Sequence, residues 1–429
     1  MRLAMKLALG LAAIIGSAQA AETPRPIVLK AAYLFDARSG QLTNGGAIVV
    51  EGDKIKALGT QAAPADAQVI DLGDATLLPG FIDAHTHITS EIQEDFYKGF
   101  HTDMYRFPAE QSHYAAVYAR RTLEAGFTTV RNLGAGDFVD VGLRNAVNSS
   151  VTAGPTILTA VHSIGSTGGH CDQGPFPPDR IQPLGVMDGV CNGADECRAA
   201  VRYQLKWGAD VIKICSSGGV LSEADPVDVP QLTPDELSAI VSETHAWKRK
   251  IAAHSHGDVA ARQAVEAGVD SIEHGSFLSD ETLKLMKSKG TYLVPTRLAV
   301  YWVNQMAAKY PPAIAAKARA TLVEHERVFR TALKMGVPIA FGTDTGVSPH
   351  GMNAKEFALL VEIGMPPAAA LLSGTRESAK LLGVIDQVGT LEAGKLADIV
   401  AVKGNVLSNI AATEKPVFVM KHGQVVVQP

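Results

Sequence analysis

The sequence has no surplus of positive charge: 39 Lys and Arg stand against 44 Asp and Glu, a formal net charge of −5 over 429 residues. Phosphate neutralisation needs clustered basic side chains, so nucleic-acid binding has no electrostatic support. Beyond the N-terminal fifteen residues no apolar run approaches the roughly 20 residues that span a bilayer, and no membrane partner is expected. Only four cysteines occur, Cys171, Cys191, Cys197 and Cys215. Their spacing is not that of a zinc finger, which argues against a metal site built from thiolates. Charged residues are 19% of the chain and hydrophobic ones 46%, a balance that permits a sizeable core and argues against wholesale disorder.

The N-terminus reads as a processing signal. Arg2 and Lys6 precede an apolar run from Leu7 to Ile15, and Ala18-Gln19-Ala20 offers the small residues of a cleavage site. Residues 1–20 are therefore expected to be a signal peptide cut near Ala20, leaving a periplasmic or secreted chain that starts near Ala21. An uncleaved anchor would need a longer run. Export permits disulfides. Cys171, Cys191 and Cys197 fall in or near a Gly/Pro-rich stretch at 164–192, so any bridge is expected to tie that loop, whereas Cys215, inside an apolar strand, is expected to stay a small core residue.

Two strand-rich ends flank a long middle. Ile48-Val49-Val50 and Ile55 around Glu51-Gly52-Asp53-Lys54 predict a hairpin, with more strand at Val69-Ile70 and Thr76–Leu78. Asp398–Val402, Val417–Met420 and Val425–Val427 repeat the style at the C-terminus, so residues 22–79 and 387–429 are expected to form one small β-sandwich domain. Between them, over 80–386, short apolar strands alternate with Ala-rich segments of helical period. They lie at Phe81–Asp83, Thr129–Arg131, Thr156–Leu158, Val211–Ile214, Ile251–His254, Ser271–His274, Tyr292–Val294 and Ile339–Phe341. About eight such units predict an α/β fold closed as a (β/α)8 TIM-like barrel. Thr233-Pro234-Asp235-Glu236 predicts a capped helix start, and Gly268 a helix stop.

Polar residues interrupt those strands in a pattern. His85 and His87, in Asp83-Ala84-His85-Thr86-His87, alternate onto one face and can share a metal. Lys213 lies inside an apolar strand, where an isolated ammonium costs several kcal/mol. It is either paired with a neighbouring carboxylate or converted by carbon dioxide to an anionic carbamate, a bidentate oxygen ligand. His254 and His274 end two consecutive strands, and Asp344 follows the last. Each alone could be a capping or core residue. Together they sit at the C-terminal strand ends, where barrels place their chemistry.

With these positions the sequence resembles the amidohydrolase superfamily over nearly its whole length. His85-x-His87, Lys213, His254, His274 and Asp344 match that superfamily's binuclear ligand set in order, and Leu78-Pro79-Gly80-Phe81-Ile82-Asp83 and Gly389–Val400 match its flanking motifs. Thr167-Gly168-Gly169-His170, Ser216-Ser217-Gly218-Gly219-Val220, His254-Ser255-His256-Gly257 and Ser271–Gly275 look like the branch of Xaa-amino-acid dipeptidases, which also holds ochratoxin hydrolases. One departure is Asn132 in Thr129-Val130-Arg131-Asn132, where many relatives place Asp; it falls outside the ligand set.

The resemblance implies two divalent ions, zinc by default. His85, His87 and Asp344 would take one, His254 and His274 the other, and carbamylated Lys213 would bridge them. Water activated by the ions is the implied nucleophile. Asp344 would move its proton to the leaving amine, and His256 would hold substrate or stabilise the oxyanion. His170, Val220 and Val347 are expected to shape the substrate pocket. The implied activity is cleavage of the amide bond of dipeptides or N-acyl amino acids, ochratoxin A among the candidate substrates, by an enzyme expected to assemble as a homo-oligomer. Two other readings remain open: a cyclic amidase acting on lactams or imidazolones, and a catalytically silent barrel serving as a scaffold.

Overall fold

In the computed structural model, residues 25–428 are described except 173–176, 178, 181, 223 and 224. The signal-peptide segment 1–20 and the start near Ala21 lie outside the described residues. Five strands come first: β1 (Ile27–Asp36), β2 (Gln41–Glu51), β3 (Lys54–Leu58), β4 (Gln68–Asp71) and β5 (Ala75–Pro79). Seven follow in the middle, β6 (Phe81–Thr86), β7 (Phe127–Asn132), β8 (Thr156–Thr159), β9 (Val211–Cys215), β10 (Lys250–Ser255), β11 (Ser271–His274) and β12 (Tyr292–Val294). Three more close the chain, β13 (Ile399–Lys403), β14 (Phe418–Lys421) and β15 (Gln424–Val427).

The expected hairpin is β2 and β3, turning where Gly52 takes a left-handed φ of +60°. The eight terminal strands form one sheet in which β5 pairs with both β1 and β13, so the two ends of the chain fold together. The sheet curls over a shared core. Ile55 of β3 and Met420 of β14, from opposite regions of the sheet, belong to the same apolar cluster as Leu29, Leu77 and Ile399. Gly423 lies so close to Gly52 that a side chain there would strike the Gly52 carbonyl.

In the middle, β6-β7-β8 and β9-β10-β11-β12 are parallel sheets, as strand–helix alternation requires. Short links join them. Ile164 donates its N–H to the Lys213 carbonyl and accepts from the Cys215 N–H, coupling the segment after β8 to β9. Ile339–Phe341 was expected as an eighth strand. It is instead a short bridging segment, entered through Pro338 and left through Gly342, whose Ala340 N–H bonds Leu293 and whose Phe341 carbonyl accepts from Ala84. Gly342 is required there, because a Cβ would come within 2.3 Å of Val294. Hydrogen bonding thus runs round a ring of seven strands and one bridging segment, with the helices outside it.

The predicted helix punctuation holds. Thr233 caps the helix Pro234–Ala246 by accepting the Glu236 N–H and donates its own N–H to the Glu236 carboxylate, and Gly268 at φ +106° ends the helix Asp258–Ala267. The cysteine expectation needs correction. Cys215 is not a free core residue: it is bonded to Cys171, and Cys191 to Cys197. The reason is tertiary, since the Ile164 pairing lays the loop along β9 and brings the Cys171 and Cys215 Cα atoms to 5.8 Å.

Candidate metal centre

The residues singled out at the strand ends converge. The Asp344 Oδ1 lies 3.2 Å from His87 Nε2 and 3.4 Å from His85 Nε2, and Lys213 Nζ lies 3.5 Å from the same His85 nitrogen. The His85 and His274 rings are 5.1 Å apart, and those of His254 and His274 4.6 Å. Donor atoms of His85, His274 and Asp344 fall within 4.8 Å of one another, as do those of His254, His256 and His274. His274 and Asp344 both adopt left-handed backbone, at φ +70° and +59°. Non-glycine residues hold that conformation only where surroundings enforce it, and functional sites are where such strain collects.

Each imidazole has one ring nitrogen tied down. His85 Nδ1 bonds Glu273 Oε2 at 2.8 Å, His87 Nδ1 faces the Gly134 carbonyl, and His254 Nε2 the Gly218 carbonyl at 3.1 Å. His274 Nδ1 bonds Thr296 Oγ1 at 2.7 Å. Because that hydroxyl already donates to the Pro295 carbonyl, it accepts from His274. His256 Nδ1 pairs with Ser276 and His170 Nδ1 with Ser222. The second ring nitrogens of His85 and His87 both face Asp344 Oδ1, and one braced and one inward nitrogen is how metal-binding histidines are oriented.

Burial sets the protonation. It pushes His85 down to about 4 with help from Lys213, and holds His254 and His274 well below the ordinary imidazole range, so all three are neutral and able to ligate. Burial also lowers Lys213 to about 8, against the pull of Glu273 and Asp344. For the two carboxylates burial acts upward but is outweighed: Arg131 and His85 hold Glu273 near 2, and His85 and His87 hold Asp344 near 2. Asp344 Oδ1 is buried without a hydrogen-bond donor. A set of neutral imidazoles and an anionic oxygen lacking a partner is the donor chemistry a divalent cation satisfies, so the residues fit such ions.

Two participants carried no role in the sequence reading. Glu273 braces His85 and is itself held by Arg131 at 2.9 Å and by Ser271. The available signal was a charged residue inside each of two short buried strands, the same oddity that marked Lys213. Asp83 is the other: it accepts from Thr343, from Asn353 and from the His85 N–H, and burial raises it to about 7. It ties β6 to the segment carrying Asp344. Asn132 touches none of the proposed ligands, but it accepts from the Ile88 N–H and so fixes the chain just past His87.

His170, His254, His256, His274 and Asp344 form the polar end of a cavity of about 100 Å³. Its other walls are mostly apolar, among them Val220, Leu221, Val300, Val303 and Val347, with Asn304 and Thr321 the polar exceptions. His170 stacks on His254 with ring centroids 4.3 Å apart. Burial lowers His170 to about 4 and His256 to about 3.

A ring of parallel strands with polar side chains gathered at its C-terminal ends is where barrel enzymes place their chemistry. The sequence model of the amidohydrolase family matches residues 76–426, and the chain belongs to that family. It is 32% identical over 355 residues to ochratoxinase of Aspergillus niger, covering 79% of this chain and 72% of that one. A solved Xaa-Pro dipeptidase with methionine bound in its active site superposes with a TM-score of 0.89 at 39% identity, covering 93% of this chain and 99% of the other. Imidazolonepropionase of Cutibacterium acnes is 27% identical over 380 residues, 84% of each chain. Family and neighbours give the chain the TIM-barrel fold and make it a hydrolase of amide bonds.

Proposed function

We propose that the chain is an exported, binuclear-metal amidohydrolase that cleaves dipeptides or N-acyl amino acids, ochratoxin A among the candidates. The observation that carries this reading is the cage of neutral imidazoles and Asp344 opening onto an apolar cavity. His85, His87 and Asp344 would hold one ion and His254 and His274 the other, with Lys213 as a carbamate between them. The lowered Lys213 amine favours that conversion, since only the neutral form reacts with carbon dioxide. Zinc suits this donor set, and the ions would supply Lewis acidity for a water and for the scissile carbonyl.

The chain's own groups do the rest. Asp344 takes a proton from the attacking water and returns it to the leaving nitrogen. His256 Nδ1 lies 2.8 Å from Ser276 Oγ, and in the tautomer where that hydroxyl donates, the ring proton would sit on Nε2, where it would meet the carbonyl oxygen as negative charge develops. His170 receives the substrate carboxylate, and Val220 and Val347 contact an apolar side chain. The domain limits 22–79 with 387–429 and 80–386, the two-layered form of the small domain, cleavage near Ala20 and homo-oligomeric assembly belong to the same proposal.

A panel of dipeptides and N-acyl amino acids, ochratoxin A included, scored by released amino acid with and without chelator, tests the reading. Chelator-sensitive release with about two metal ions per chain is the expected result. Turnover confined to lactams or imidazolones would move the assignment to the cyclic amidases, and a metal-free, inert protein would make it a scaffold.

A further inference from the structure

The corrected cysteine pairing has a consequence at the cavity. Cys171 directly follows His170, and Cys215 ends β9, two residues beyond Lys213. The bridge therefore anchors the residue next to His170 to a strand of the barrel. The hydrogen bonds that hold His170 reach only another loop: its N–H donates to Gln231 Oε1 at 2.9 Å and its Nδ1 meets Ser222 Oγ at 3.1 Å. That loop is secured through Asp225, which accepts from Gly219 and Gln231, and through Lys317, which donates to the Gly219 and Ser222 carbonyls. The His170 ring lies against Gly219, where a Cβ would approach within 2.2 Å of it. His170 is thus clamped between a noncovalent loop network and one covalent tie.

We infer that the Cys171–Cys215 disulfide is a positioning device for His170, holding its imidazole against His254 so that opening the bridge weakens substrate binding while the metal cage stays intact. This rests on the substrate-binding role proposed for His170. The bridge is also the accessible one of the two. Cys171 is half-buried, whereas Cys191 and Cys197 are wholly buried. A small dithiol supplies the chemistry: its thiolate attacks the Cys171 sulfur, the Cys215 thiolate leaves and is protonated, and the second thiol closes the reagent to its own disulfide. Two electrons pass from reagent to protein, and no other reactant is needed.

The test compares wild-type holoenzyme, the same protein treated with dithiothreitol, and Cys171→Ser, which leaves the β9 sequence unchanged. Kinetics on the best panel substrate, metal content per chain and hydrogen exchange at the His170 amide are read together. In Cys171→Ser, KM is expected to rise about threefold, part of the worth of one substrate hydrogen bond. kcat should stay within about twofold, metal content should be unchanged, and exchange at His170 should accelerate. Dithiothreitol should reproduce this in wild type and do nothing further to the variant. Unchanged exchange, or faster exchange with unchanged KM, overturns the proposal, as does parallel loss of metal and kcat, which would make the bridge a support of β9. If the variant does not fold, the treated wild type decides by the same readings. If wild type hydrolyses no panel substrate, the dipeptidase reading falls, and exchange at His170 still judges the tether.

Discussion

The two halves of the centre are braced by different chemistry. Around His85, His87 and Asp344 the supports include full charges: Glu273 on His85, Arg131 on Glu273, and Lys213 beside both. Around His254, His256, His274 and His170 they are backbone carbonyls and hydroxyls, from Gly218, Ser276, Thr296 and Ser222. Of the first half His85 is sealed within the strands, whereas Asp344 and the whole second half line the cavity. Buried charges are costly to leave unpaired, so the first half is a rigid electrostatic frame. Neutral supports cost less to alter, which suits the half that meets substrate.

The sharpest break should come at Asp344, which serves as ligand and proton carrier in this reading. Asp344→Asn is expected to lower kcat by about 10²–10⁴-fold, read as amino acid released at saturating substrate; a loss under tenfold would remove it from the proton path. The contrast between the halves is tested directly by Glu273→Gln against Thr296→Val. The first leaves Arg131 buried without its countercharge and should cost about 3–5 kcal/mol of stability, with metal affinity down about 10–100-fold. The second should cost about 1 kcal/mol. Urea midpoints and chelator competition measure both, and equal losses would erase the distinction.

Acid should act through the imidazoles. Seven buried histidines, His85, His170, His254, His256, His274, His325 and His350, are all held below the ordinary value. As pH falls from about 6.5 toward 4, the unfolded chain binds protons that these rings refuse, and stability drops. Asp83, Asp103, Asp140, Glu356 and Asp398, raised by burial, oppose this because the folded chain keeps protons the unfolded one has lost. The lowered histidines outnumber the raised carboxyls, so the metal-free protein should lose stability across that window, seen as a falling urea midpoint between pH 7 and 4.5. A flat profile would show the two sets in balance. The smallest effect belongs to the cavity side: His170→Asn should raise KM about fivefold, one modest interaction's worth, with metal content unchanged by elemental analysis.

Much of this was legible along the chain because it is periodic or local. Alternation puts His85 and His87 on one face whatever the tertiary context, the Thr233 cap and the Gly268 stop act within one helical turn, and polar residues ending apolar strands marked His254, His274 and Asp344. The weaker eighth segment was overread as a strand because an apolar run gives no warning of how Pro338 and Gly342 limit its pairing. What the fold alone decided are the partners. Cys215 joins Cys171 across 44 residues, and Glu273 reaches His85 across 188. Such choices depend on which strands lie side by side once the ring has formed, and no spacing in the sequence encodes the distance between atoms that far apart.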